Sequence, residues 1–274
     1  MFGYLELLKK LDTLDKNISI ETIGKSEFGR DIFSLRRGMG GGALIHGGIH
    51  AREHITSLLV FELAVKYMGE NITFVPLANP DGAELCIRGI ETADKNYREF
   101  LLDINANERR NKYDFALWKA NGRAVDLNVN FDAGWGNGAS NVRAPSSGNF
   151  IGEHPFSEKE TRALRDLTLR NNYTLTISYH SKGEVIYWGY GDNYEGERVA
   201  IQFAELTHYS LERSNGSDGG YKDWFSLFCG RLGITIEVGR DIYPHPFPYS
   251  QFRDIMNKNK RVTELVDKVV ENGY

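Results

Sequence analysis

Cysteine is scarce in this chain, with only Cys86 and Cys229 among 274 residues. Two thiols cannot make a disulfide framework, and a reducing cytoplasm is the expected setting. Long apolar runs are also missing. The longest, such as residues 57–65, contain or meet a Glu or Lys well short of the roughly 20 residues a membrane-spanning helix needs, so a helical membrane anchor is not expected. No Lys/Arg-rich run or basic stripe occurs and the formal charge is −4, which argues against nucleic acid as a partner. No repeat or low-complexity segment is found, and no coiled-coil heptads mark a partner surface. The first ten residues carry charges inside an apolar pattern, and no small-residue cleavage site follows; they read as an amphipathic helix rather than a secretory signal.

What is present is enough chain for one α/β domain with a substantial core, spanning residues 1–274. Short β-type runs alternate with helical periodicity throughout, which predicts a mixed central sheet with helices on both faces. Strands are expected over 18–23, 32–36, 43–46, 72–78, 173–179 and 233–238. Helices are expected after 50, over 197–214 and over 249–271, and one is expected to start at Ser157, with Glu160 at the capping-box spacing. Residues 82–152 are rich in Asn, Gly and Arg and weakly periodic, so they read as long ordered loops with short helices, where function concentrates.

The sharpest local feature is His50-Ala51-Arg52-Glu53, between a glycine turn and a helix start. A His and a Glu three residues apart converge on one point, which supplies half of a zinc site. A hydrolytic zinc takes three protein ligands of His or carboxylate type and keeps a position for water. His180 is the expected third ligand, because it directly follows a strand, and residues just past the carboxyl ends of strands line the crevice of an open α/β sheet. His46 and His54 flank His50 at four-residue spacing and are the competing choice. Neither completes a His-Glu-x-x-His motif, so both are read as packing residues or supports for the ligands.

Four further phrases occur along the chain: Asn79-Pro80-Asp81-Gly82, Val125-Asp126-Leu127-Asn128-Val129-Asn130-Phe131-Asp132, Ser178-Tyr179-His180-Ser181 and Thr235-Ile236-Glu237-Val238. With Ile23-Gly24-Lys25-Ser26 and Gly29-Arg30 near the start, their order and spacing resemble the zinc metallocarboxypeptidase family. The resemblance implies a peptidase with one zinc ion per chain held by His50, Glu53 and His180, and with Glu237 as general base. It also implies a basic group for the oxyanion within Trp118-Lys119-Ala120-Asn121-Gly122-Arg123. Arg123 is the preferred choice there and Lys119 the alternative, otherwise a substrate contact. Arg52 and Asn128 would contact substrate, Asp126 would orient a histidine ligand, and Tyr221, beside two glycines, would close over the substrate.

One departure bears on the substrate. Carboxypeptidases carry an arginine after the strand asparagine, which forks onto a free C-terminal carboxylate, and here that position is Val129. Trp118-Lys119-Ala120-Asn121, Ser178-Tyr179-His180-Ser181-Lys182-Gly183 and Tyr187-Trp188-Gly189-Tyr190 resemble the bacterial branch that cuts γ-D-glutamyl-diamino acid bonds in peptidoglycan stem peptides. The expected partner is therefore a peptide or muropeptide, with Arg143 or Arg88 recognising its additional carboxylates. A conventional carboxypeptidase and a non-catalytic muropeptide-binding protein are the alternatives.

Overall fold

The computed structural model describes residues 1–190, 196–214 and 218–273. Within them eight strands form one sheet in the order β1-β2-β4-β3-β5-β8-β6-β7. They are β1 (Ser19–Lys25), β2 (Asp31–Arg36), β3 (Ala43–His46), β4 (Ile72–Val75), β5 (Leu175–His180), β6 (Val185–Trp188), β7 (Ser210–Arg213) and β8 (Leu232–Glu237). The centre, β4-β3-β5-β8, is parallel. At one edge β2 runs antiparallel to β4, and at the other β6 runs antiparallel to β8, which makes the sheet mixed as the sequence predicts.

Side chains alternate across a strand, and here the alternation separates core from chemistry. Ala43, Ile45, Leu175, Ile177, Tyr179, Leu232, Ile234 and Ile236 face one way and join a single apolar cluster. That cluster is roofed by α1 (Tyr4–Leu11), α2 (His54–Lys66), α6 (Glu197–Thr207), α8 (Phe252–Asn259) and α9 (Val262–Glu271). Burying each such isoleucine or leucine stabilises the fold by about 1.5–3 kcal/mol. The intervening residues, His46, Ser178, His180, Thr235 and Glu237, face the other way. There the apolar cover, from α5 (Lys159–Asn171) and α7 (Tyr221–Cys229), reaches only part of the sheet. Two further helices, α3 (Pro80–Arg88) and α4 (Arg98–Glu108), lie in the loop-rich stretch.

Several boundaries differ from the sequence reading. The run expected as one helix over 197–214 ends at Thr207, where His208 takes a left-handed conformation as cap and the chain continues into β7. The last helix is two, α8 and α9, separated at Lys260 and Arg261. Ser157 does not cap α5: Glu158 is the cap residue, the Ser157 hydroxyl donates to its carboxylate at 2.8 Å, and Glu160 instead accepts from the Glu27 amide. Residues 127–129, inside the stretch read as loops with short helices, form a 3-10 turn, in which the Asp126 carboxylate accepts from the Asn128 amide and curls the chain.

Candidate metal centre and active site

The loop from β3 into α2 places the first two ligand residues. Gly48 has φ +61°, and a Cβ there would run into the Ser57 hydroxyl, so only glycine lets the chain turn this tightly. His50 then caps the 3-10 turn Ala51–Glu53, which brings its Nδ1 to 2.9 Å from Glu53 Oε1. His180 arrives from the end of β5, with its Nδ1 at 3.1 Å from His50 Nδ1 and 3.2 Å from Glu53 Oε2. All three residues are buried.

The donor set itself tests whether a cation fits. His50 Nε2 lies 3.2 Å from Asp126 Oδ1. With the ring proton directed there, Nδ1 is left as an acceptor. It then faces another ring nitrogen and two carboxylate oxygens, a buried group of acceptors with few protons to share. Such an arrangement is stable around a cation, and two imidazole nitrogens with a carboxylate are the zinc donor type. His46 and His54 do not join it. His46 Nε2 pairs with the Ser178 hydroxyl at 2.7 Å, and His54 Nδ1 with the Tyr249 hydroxyl at 2.9 Å.

Asp126 is fully buried and joins two parts of the site. Its Oδ1 faces His50 and its Oδ2 accepts from Lys119 Nζ at 2.7 Å, with further bonds from the Asn128 and Asn149 amides. Burial alone would raise its carboxyl, but Lys119 and His50 outweigh burial and hold it well below the usual carboxylate range. Asn79 fixes the loops that carry these groups: its amide donates to Ile49 O and Ala120 O, both at 3.1 Å, while its Oδ1 caps α3. Asp81 accepts from Arg30, Ser26 and the Phe28 amide. The Asn-Pro-Asp-Gly phrase and the early Gly-Arg phrase are thus a scaffold for the site.

A cavity of about 370 Å³ opens over the centre, lined among others by His50, Lys119, Asn128, Val129, Tyr187 and Glu237. Glu237 ends β8 directly beside His180 in the parallel register. Its Oε2 is buried without a hydrogen-bond partner. Burial, and then the charge of Glu53, push its carboxyl well above the usual range against the opposing pull of Lys119 and Arg52. A buried, basic carboxylate beside a metal-binding set is suited to accepting a proton from water.

Four expectations need correction, those for Arg123, Tyr221, Arg143 and Arg88, none of which lines the cavity. Arg123 does not enter this cavity: its guanidinium lies near Glu158 and Glu153 and lines a different cavity with Tyr97 and Phe150, where it offsets the buried acids around Glu158. Lys119 enters instead, because its own backbone amide is held by Ser147 O and its carbonyl by the Ala51 amide. Tyr221 is fully buried, with its hydroxyl bonded to Thr168 at 2.8 Å and its ring edge-on to His46. A ring locked into the core cannot swing over a substrate. The tyrosine among the described cavity-lining residues is Tyr187, which pairs with Thr235 across β6 and β8 and is half-buried. Tyr187 and Thr235 both fall within the phrases that carry the family resemblance, but sequence reasoning assigned neither a place in the cavity, although Thr235 stands two residues before Glu237 and so on the same face of the strand.

Arg52 is half-buried with Nε unpaired, near enough to Glu237 to act on its carboxyl. Asn128 lines the cavity but also uses its Oδ1 to accept from the Tyr221 amide at 3.1 Å. Arg143 and Arg88 are elsewhere: Arg143 is exposed and donates to Gly136 O, and Arg88 pairs with Glu6 and Glu84.

Comparison with known proteins agrees with this geometry. The model of the family described as zinc carboxypeptidase matches residues 4–262. The chain belongs to that family. This zinc metallopeptidase is 31% identical over 271 residues to gamma-D-glutamyl-L-diamino acid endopeptidase 1 of Lysinibacillus sphaericus, covering 90% of this chain and 67% of the relative. Its fold is similar to that of bovine thrombin-activatable fibrinolysis inhibitor, with TM-score 0.75, 19% identity and coverage of 98% and 97% of the two chains. It is also similar to the fold of murein-tripeptide amidase from Escherichia coli O157, with TM-score 0.63, 20% identity and coverage of 92% of each chain.

The placement of the two basic residues yields a test. Lys119→Met is expected to lower kcat by about 10²- to 10³-fold, the usual cost of removing one oxyanion donor. Arg123→Met is expected to leave kcat close to wild type and to lower the unfolding temperature. Steady-state kinetics and thermal unfolding of both variants check this, and a larger kcat loss at Arg123 would reverse the assignment.

Proposed function

We propose that this zinc metallopeptidase hydrolyses the γ-D-glutamyl-diamino acid bond of peptidoglycan stem peptides. The observation that carries the proposal is the composition of the cavity. No arginine is among its described lining residues, Val129 occupies the wall beside Asn128, and the cations are Lys119 and Lys222. A bidentate guanidinium is the usual fork for a free peptide C-terminus, so ordinary C-terminal trimming lacks its anchor here. The similarity to a gamma-D-glutamyl-L-diamino acid endopeptidase supports the same substrate class.

In this reading His50, Glu53 and His180 hold the zinc ion, which when bound supplies Lewis acidity, acidifying water toward a pKa of about 7 and polarising a carbonyl. Glu237 Oε2 accepts the proton of the attacking water and returns it to the amine that departs. Lys119 Nζ donates to the oxygen that gains charge in the tetrahedral state. Asp126 keeps both Lys119 and the His50 ring in place. Tyr187 and Thr235 form the wall beside Glu237.

The test is hydrolysis of L-Ala-γ-D-Glu-diaminopimelate compared with a hippuryl-amino acid. Cleavage of the muropeptide alone is expected. Cleavage of the hippuryl substrate alone would establish a conventional carboxypeptidase instead. A cytoplasmic site of action is also proposed, supported by the sequence reading of the two thiols; finding the protein in the medium of an unlysed culture would overturn it.

A further inference from the structure

Arg123 differs from the arginines that serve the fold. Arg30, for example, bonds Asp81 Oδ1 at 2.6 Å and Thr92 O at 2.7 Å. Arg123 has two acidic neighbours, Glu153 at 3.6 Å and Glu158 at 3.7 Å, and both distances are longer than a hydrogen bond. The N–H groups of its guanidinium are therefore not used by either carboxylate. The guanidinium lines a cavity of about 390 Å³, within the range that holds a small molecule. Three rings, those of Tyr97, Phe100 and Phe150, line it too, and Glu158 and Glu153 stand with Arg123 at its charged end. Glu158 is buried, and its carboxylate accepts from Asn121 and Ser157, both at 2.8 Å. An ionised carboxylate has about four lone-pair sites, so it can accept a further donor from the cavity.

This cavity shares no lining residue with the one over the metal centre, yet the same two segments of chain serve both. Lys119 and Asn149 turn to the metal centre, whereas Arg123, Val125 and Phe150 turn to the second cavity. Asn121 pins this division. Its Oδ1 accepts from the Arg123 and Val125 amides at 2.9 and 3.0 Å, and its own amide donates to Glu158. The Asp126 amide donates to Phe150 O at 2.9 Å, which joins the two segments. The second cavity is therefore a separate site.

We propose that this second cavity binds a free α-amino acid with an aromatic or other large apolar side chain. The argument is charge alternation. An α-amino acid carries its carboxylate and its ammonium on one carbon atom, and the cavity offers a guanidinium and a buried carboxylate side by side. The ligand carboxylate pairs with Arg123 and the ligand ammonium with Glu158, so that each charge has opposite charges as its neighbours. An acid without the amine would meet Glu158 with like charge, and an amine without the acid would meet Arg123. The side chain lies against Tyr97, Phe100 and Phe150. The site does not depend on which peptide bond the metal centre cleaves.

The zinc-loaded full chain is titrated calorimetrically with L-phenylalanine, 3-phenylpropionate and phenethylamine, which share the ring and differ in the charges they carry. Wild-type protein is expected to bind L-phenylalanine roughly 10- to 100-fold more tightly than either analogue, the worth of one charge-assisted hydrogen bond. Arg123→Met is expected to reduce L-phenylalanine to the affinity of phenethylamine. Phe100→Ala removes a partly exposed ring, so the fold tolerates it, and it is expected to weaken L-phenylalanine several-fold. Lys119→Met, which alters the other cavity, is expected to leave that affinity unchanged. Equal binding of the three compounds, or no binding of L-phenylalanine in the millimolar range, would overturn the proposal. Affinity that is lost in Lys119→Met and kept in Phe100→Ala would overturn it as well, by placing the ligand at the metal centre.

Discussion

Glu237→Gln is expected to lower kcat by about 10²- to 10⁴-fold, the contribution of a positioned proton acceptor, and at the same time to make the metal-free protein more stable at neutral pH. The second half follows from the environment of the carboxyl. Its Oε2 is buried without a partner, and burial together with Glu53 raises its pKa well above the ordinary 4.5. A carboxyl whose folded pKa exceeds its unfolded one costs stability above the unfolded pKa, because the native state must then either hold a proton or bury a charge. Below that pH both states are protonated and the cost vanishes. The stabilising effect of the glutamine should therefore be present at pH 7 and fade as the pH falls through about 4. Thermal unfolding of both proteins across that range, alongside kcat, checks the pair of effects. A variant that loses activity and is also destabilised at pH 7 would show that Glu237 holds the fold together rather than serving the reaction.

Removing the metal is expected to abolish activity and to lower the unfolding temperature by roughly 10 °C relative to protein saturated with zinc. A ligand held at 1,000 times its dissociation constant stabilises by about 4 kcal/mol, and each kcal/mol moves the midpoint of a chain of this size by about 2–4 °C. The direction follows from His50, Glu53 and His180, whose acceptor atoms crowd together within 4.8 Å in the core. One equivalent of zinc should restore both activity and midpoint, with metal analysis giving one ion per chain. His180→Ala should bind zinc far more weakly and gain no such stabilisation. Full activity after exhaustive chelation would contradict the assignment of this cluster as the reaction centre.

The local signals in the chain were read well where the physics is local. Residues 43–46 form the expected strand, and the strands expected over 173–179 and 233–238 appear as Leu175–His180 and Leu232–Glu237. The reason is that a short apolar or β-branched run belongs to the strand itself, as does the alternation of its side chains between the two faces. The same alternation puts His180 and Glu237 on one face, so their adjacency follows once β5 and β8 pair. His50 and Glu53 are brought together by a single turn.

Long-range contacts govern the rest. Lys119 and Arg123 are four residues apart in a segment without periodicity, and nothing nearby says which faces the cavity; Ser147, Ala51 and Asp126, all distant in sequence, decide for Lys119. Tyr221 stands beside two glycines and so suggests a mobile cover, but Thr168, His46 and Phe131 lock its ring into the core. Lys222 lies next to it in the chain yet reaches the cavity, because the first turn of α7 crosses β8 at Gly233. The sequence by itself determined the family, the metal-binding residues and the order of the central strands' chemistry, since these rest on spacing along the chain. Which of the two basic residues lines the cavity and which tyrosine does so were decided only by the tertiary structure, since a loop side chain points wherever its distant hydrogen-bond partners hold the backbone.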